Sequence, residues 1–182
     1  MKDAELAALA QAGDRDAFGE LVRRHAAQAR RVARAILGDP DEADDAAQDG
    51  FLAALRHLGR YDPARPFGPW LLRIVANAAS DRQRRRKVRR AEPLSPRMHD
   101  AEPGPDTVTD RSSFRQAVLA ALERLPERQR IATVLFDVEG YSHKEISEVL
   151  GVPIGTVRSD VFHARRTLRT ELDAWKDWRE SE

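Results

Sequence analysis

The chain of 182 residues carries 31 Lys and Arg against 30 Asp and Glu, is 41% hydrophobic and only 6% aromatic, and contains no cysteine. That composition suits one or two small, heavily solvated helical domains and excludes disulfides, thiolate metal sites and thiol redox sensing. No apolar run approaches the length of a membrane span, and residues 1–5 lack the basic-then-apolar order of an export signal, so a cytoplasmic protein without membrane insertion is expected.

Apolar periodicity predicts helices throughout, hence an all-α fold of two small helical domains joined by a flexible linker. A short stripe at Leu6, Leu9 and Ala10 stops near Gly13. Asp14 or Asp16 then caps a longer helix carrying Phe18, Leu21, Val22, Ala29, Val32, Ala33 and Ile36, which ends at Gly38-Asp39-Pro40. From Asp41 to about Leu58 a third helix buries Ala47, Phe51, Ala54 and Leu58, and this register gathers Asp41, Glu42, Asp45, Gln48 and Asp49 on another face. Residues 59–69 hold Pro63, Pro66 and Gly68 and read as a loop that carries Tyr61 and Phe67. A fourth helix starts near Gly68 or Pro69 and buries Trp70, Leu71, Ile74, Val75 and Ala78, leaving Arg73, Asn77, Ser80 and Arg84 as a polar strip.

The net charge of +1 conceals strong segregation. Residues 39–49 hold six acids and no base, residues 82–90 hold seven bases, and residues 92–110 are acidic and punctuated by proline. The basic block lacks interleaved aromatics, which suits a tracker of phosphates rather than a reader of bases. The proline-rich stretch buries too little surface to offset its ordering entropy and is expected to be an interdomain linker. Beyond it, Phe114, Val118, Leu119 and Leu122 recur at helical spacing, a turn falls at Leu125-Pro126, and Ile131, Val134 and Leu135 resume the pattern.

Near the end of the chain the pattern is that of a helix-turn-helix. Ser142 and Glu145 form a reciprocal capping box, Ile146, Val149 and Leu150 face inward, and Gly151-Val152-Pro153 breaks the helix. In the following helix Val157, Val161, Ala164 and Leu168 share one stripe while Ser159, Phe162, His163 and Arg166 point away, a set suited to phosphates, base edges and thymine methyls in a major groove.

Five segments, in order and at matching spacing, resemble the RNA polymerase sigma factors of the extracytoplasmic-function (ECF) type. They are Phe18 to Val22, Gly38 to Phe51 with its Gly-Asp-Pro-Asp-Glu start, Phe67-Gly68-Pro69-Trp70-Leu71 through Asn77, Leu125 to Arg130, and Gly155-Thr156-Val157-Arg158-Ser159. The resemblance implies a region 2 domain over residues 1–90, a flexible linker over 91–111, a region 4 helix-turn-helix domain over 112–174 and a tail over 175–182. It implies that Asp41, Glu42, Asp45, Gln48, Asp49 and the nearby Leu52 grip the clamp helices of the polymerase's largest subunit. It assigns Tyr61, Phe67, Arg73, Asn77, Ser80 and Arg84 to the minus-ten element, with Tyr61 or Phe67 stacking on melted bases. Thr156, Arg158, Ser159, Phe162, His163 and Arg166 fall to the minus-35 element.

Core RNA polymerase, promoter DNA and an anti-sigma factor are the partners implied. Against the common form of the family, Asp160 and His163 stand where arginine is frequent, and Asp160 is expected to lie away from DNA. Ala46, Ala47 and Gly50 replace bulkier residues and are expected to loosen the first core slightly. Trp70 is expected in that core, and His25, on the stripe with Phe18 and Val22, is expected to be a satisfied residue of the core or its boundary rather than a switch.

The histidines at 25, 57, 99, 143 and 163 show no ligand spacing, so neither a metal nor any other cofactor is expected. The carboxylates crowd one face without converging on a basic partner, and neither a phosphate loop nor a nucleophile elbow occurs; the reading is a non-enzyme. The rival is a free-standing helix-turn-helix regulator whose first domain senses a ligand or dimerises.

Overall fold

The computed structural model describes residues 1–91 and 110–173. Within them lie eight α-helices: α1 (Asp3–Gln11), α2 (Arg15–Leu37), α3 (Pro40–His57), α4 (Phe67–Ala91), α5 (Asp110–Arg124), α6 (Glu127–Thr133), α7 (His143–Leu150) and α8 (Ile154–Glu171). The fold is all-α. Most of the expected linker and all of the expected tail fall outside the described residues.

Local chemistry sets the helix ends. Asp14 caps α2 by accepting from the amides of Asp16 and Ala17 at 2.9 and 3.0 Å, and Gly38 closes it at a φ of 76°. Asp39 does the same for α3 through Asp41 and Glu42, with Pro40 at the first helical position, where no amide is needed. Each such cap contributes about 1 kcal/mol.

In the first domain α2, α3 and α4 pack on one another around Leu21, Val32, Ile36, Leu71, Leu72 and Val75, all buried. Each of the larger side chains removed from water there contributes about 1.5–3 kcal/mol. Helix α1 lies on α2, and the Gln11 amide donates to the carbonyls of Leu58 and Tyr61 at 2.8 and 2.9 Å, fastening the 3-10 turn Leu58–Arg60. The small residues of α3 do not loosen this core. A Cβ on Gly50 would stand 2.6 Å from Val75 Cγ2 and 3.0 Å from its Cα, so α3 and α4 approach closely only because glycine is there. Ala46 and Ala47, one turn before it on α3, are buried as well.

In the second domain α6 runs into a π-helical turn, Val134–Val138, which periodicity alone does not reveal. Its wider winding ends with the Glu139 and Tyr141 amides donating to the carbonyls of Val134 and Leu135 at 3.1 and 3.0 Å. α7 and α8 follow as the helix-turn-helix pair. Ser142 and Glu145 exchange the expected capping bonds, 3.3 Å to the Glu145 amide and 2.9 Å back from the Ser142 amide. Gly151 adopts the left-handed conformation, φ 66°, that lets the chain turn into Pro153.

The two domains touch. α7 packs against α4, and α6 with its π turn packs against α2.

Candidate nucleic-acid interface

The outer face of α8 is the first of three surfaces. Val157, Val161 and Ala164 are buried against α6 and α7, which turns Arg158, Ser159, Phe162, His163 and Arg166 outward, with Thr156 half-buried at the start. Phe162 is 64% exposed, an unusual position for a phenyl ring without a partner surface. Asp160 sits on the opposite face. It is 5% exposed and receives the Arg128 guanidinium, Nε at 2.6 Å and Nη2 at 3.3 Å, while the pair holds Arg128 more firmly protonated than a free arginine.

Arg158, Phe162, Arg166 and Arg169 share an open groove with Phe136 and His143. There the Phe136 ring stacks on His143 with centroids 4.4 Å apart, and the Arg165 guanidinium carbon lies 4.9 Å from the Phe136 centroid. Asp137 holds Arg165 from the side, accepting from Nε at 3.1 Å. Sequence periodicity missed Phe136, His143 and Arg169 as groove residues. The position of His143 directly after the Ser142 cap, at the dipole-positive end of α7, was the available signal.

The second surface is the α4 strip. Arg73 and Asn77, four residues apart, are both exposed on one face, Ser80 is half-buried, and Arg84 is exposed and paired with Asp81. Tyr61 and Phe67 do not join them. They are 4% and 3% exposed, in an aromatic cluster with Trp70 in which ring centroids lie 5.0–5.4 Å apart. The Tyr61 phenol donates to the Arg65 carbonyl, and burial, ahead of the nearby Asp3 and Asp62 charges, pushes it above the usual tyrosine range. Their role as base-stacking platforms is therefore corrected: both rings are used up in packing the loop that precedes α4.

On α3, Asp41, Asp45, Gln48 and Asp49 are exposed and Glu42 half-exposed, next to Leu52 at 56% and Leu55 at 49% exposure. The acids are not left alone. Arg82 spans Asp45 and Asp49 at 2.6 and 3.0 Å, and Arg86 reaches Glu42 at 2.9 Å. Part of the basic block is thus folded back on the acidic strip, and Arg82 and Arg86 are already engaged by carboxylates rather than waiting for phosphates. Such exposed pairs contribute little stability, about 0–1 kcal/mol each, and can be exchanged for a partner's groups. Leu55, beside Leu52, belongs to this face although the sequence pattern did not single it out.

This arrangement has known counterparts. The family description "Sigma-70 region 2" matches residues 21–89, and "Sigma-70, region 4" matches residues 115–168. The ECF RNA polymerase sigma factor SigM of Mycobacterium tuberculosis is 45% identical over 171 residues, 91% of this chain and 82% of that protein. The chain belongs to the ECF-type sigma factors. A sigma factor binds core RNA polymerase and directs it to promoters, and the two domains described above are sigma regions 2 and 4. The sigma factor CnrH of Cupriavidus metallidurans is 35% identical over 181 residues, 94% of this chain and 95% of that protein. A solved structure of CnrH in complex with the cytosolic domain of CnrY superposes with a TM-score of 0.70 at 32% identity, covering 94% of this chain and 97% of the other. RpoE of Bartonella quintana, solved with the anti-sigma factor NepR, shares the fold with a TM-score of 0.66 at 24% identity, covering 86% and 96%.

Proposed function

We propose that this sigma factor is a dissociable, non-catalytic subunit in which the three surfaces divide the work of promoter recognition. Residues 1–90 form the unit that docks on polymerase and captures the melted minus-ten strand, residues 112–174 read the minus-35 duplex, and residues 91–111 connect them. The α3 face docks on the polymerase clamp helices: Leu52 and Leu55 supply the apolar anchor, and Asp41, Glu42, Asp45, Gln48 and Asp49 supply steering and register. On α4, Asn77 hydrogen-bonds an unstacked base, Ser80 bonds at its side, and Arg73 and Arg84 neutralise phosphates. On α8, Thr156, Arg158, Ser159, Phe162, His163 and Arg166 enter the major groove, with Arg and Ser on phosphates or base edges and Phe162 on thymine methyls.

The observation that carries this reading is the outward set on α8. Arg158, Ser159, Phe162 and Arg166 stand exposed together while Asp160, the one carboxylate that would repel DNA there, is turned inward and neutralised by Arg128. The likeness to CnrH, solved with the cytosolic domain of CnrY, supports control by an anti-sigma partner. Among the described residues no helix is long and apolar enough to cross a membrane, and the site of action proposed is the cytoplasm, where polymerase and promoter are.

Mapping the DNA bound by polymerase reconstituted with the protein tests the assignment. Discrete upstream and minus-ten signatures are expected, the upstream one weakened by Arg158→Ala and the minus-ten one by Asn77→Ala. Binding without either signature would refute it.

A further inference from the structure

Arg130 gathers carbonyls from two helices around one hollow. Its guanidinium donates to Ala35 and Ile36 at the end of α2 and, through Nη1 at 3.1 Å, to Glu123 near the end of α5. Between these anchors the surface opens into a cavity of about 180 Å³ walled by Ala35, Leu119, Leu122, Val134 and Val138. Leu119 and Leu122 are half-buried and Val138 is 59% exposed, so apolar surface of α5 and the π turn meets solvent there. An aliphatic cavity of about 150 Å³ takes up a benzene ring. This one has the size for an indole. Its rim is cationic, formed by Arg34, Arg130 and Arg31, the last held by Glu139.

A segment suited to this hollow starts beside it. The Arg124 guanidinium pairs with Glu171, the last residue of α8, which fixes the end of α8 next to the end of α5, and Leu122 and Glu123 lie just before Arg124. Residues 174–182 follow, outside the described residues, with the sequence Ala-Trp-Lys-Asp-Trp-Arg-Glu-Ser-Glu. Two of the chain's three tryptophans stand in this short stretch. From Glu171 to Trp178 an extended chain spans up to about 23 Å, enough to pass across the Arg124 pair to Leu122. Asp177 and Glu180 flank Trp178 and complement the rim, where Arg34 is exposed and pairs with no carboxylate among the described residues.

We propose that the tail seats Trp178 in this hollow, with Trp175 laid against α5 on the way and Asp177 set on Arg34. The tail is then a clasp that covers the apolar surface between α5, the π turn and α2. An indole buries up to about 150–250 Å² of surface, the largest gain per ordered residue that a short segment can set against its ordering entropy.

Tryptophan fluorescence of the full chain tests this, with Trp178→Phe supplying the Trp178 component by difference. That component should be blue-shifted and should resist quenching by acrylamide. Val138→Glu, at an exposed position on the rim, should return it to the emission and quenching of a free indole. Arg34→Glu, also exposed, should weaken the protection and serves as the probe if circular dichroism shows that Val138→Glu does not fold. Trp178→Ala should lower the melting temperature by about 3–6 °C, the scale expected for losing one partly buried large side chain from a chain of this size. Free-indole behaviour of Trp178 in the unsubstituted protein would overturn the docking. Protection that survives both rim variants would overturn the hollow as its seat, and protection lost on dilution would assign the occupant to a second copy and overturn the clasp.

Discussion

The Arg128 guanidinium clasps the Asp160 carboxylate on the inner side of α8, at 2.6 Å through Nε, so the acid in the recognition helix braces that helix instead of facing DNA. Asp160→Ala should therefore destabilise region 4 by about 1–2 kcal/mol. The effect stays below that of a fully enclosed pair because the Arg128 side chain is 54% exposed. Upstream sequence preference, measured below the melting transition by selection from a duplex library, should not change. A shift in the preferred bases would place Asp160 in the groove.

Arg158 and Phe162 face outward and should separate by mechanism. Arg158→Ala should weaken duplex binding and lower the slope of log affinity against log salt by about 0.9, as expected for one released counterion. Phe162→Ala should leave the slope unchanged and relax preference at a single base pair. Titrations at several salt concentrations distinguish the two.

Leu52, at 56% exposure, is the apolar centre of the α3 face. Leu52→Asp should lower affinity for core polymerase by about tenfold or more while leaving thermal stability within experimental error, because no core contact is lost. Asp45→Arg should impair the same binding and in addition release Arg82. Equilibrium binding to core polymerase, read by anisotropy, checks both.

Gly50 abuts Val75, and Gly50→Ala should cost about 1–3 kcal/mol even though alanine is the better helix former. Urea unfolding measures it. A stabilised variant would mean that α3 and α4 can separate without loss.

The two tyrosines give a pH test of packing in both domains, since burial raises Tyr61 and takes Tyr141 up to about 12. An unfolded tyrosine titrates near 10. The native state thus holds the Tyr141 proton more tightly, and that contribution to stability is complete below about pH 10 and disappears as pH rises towards 12. Ultraviolet difference absorbance should show no phenolate at its ordinary pH in the folded protein, with the normal value returning in denaturant. Tyr141→Phe should remove the later of the two transitions.

How far residues could be read before the structure depended on how local their chemistry is. Asp14, the Ser142–Glu145 box and Gly151 act on amides within a few positions, so the helix ends and the helix-turn-helix were legible in the sequence. The outward set on α8 and the exposure of Arg73 and Asn77 follow from a single helix's periodicity. Tyr61 and Phe67 were misjudged because an aromatic ring in a proline-rich loop looks free until Trp70 is folded onto it. The Arg82 bridge to Asp45 spans 37 positions, and the Arg31 pair with Glu139 spans 108. Such partners follow from helix packing, which no stretch of sequence contains. The π turn after Thr133 was hidden for a related reason, since its apolar spacing is compatible with an ordinary helix.

Run-off transcription with purified core polymerase on a genomic template pool addresses the central claim most directly. The account predicts discrete promoter-dependent transcripts that require the protein, diminish with Arg158→Ala and fall further with Asn77→Ala. Core polymerase that yields no promoter-dependent transcript with the protein would contradict it.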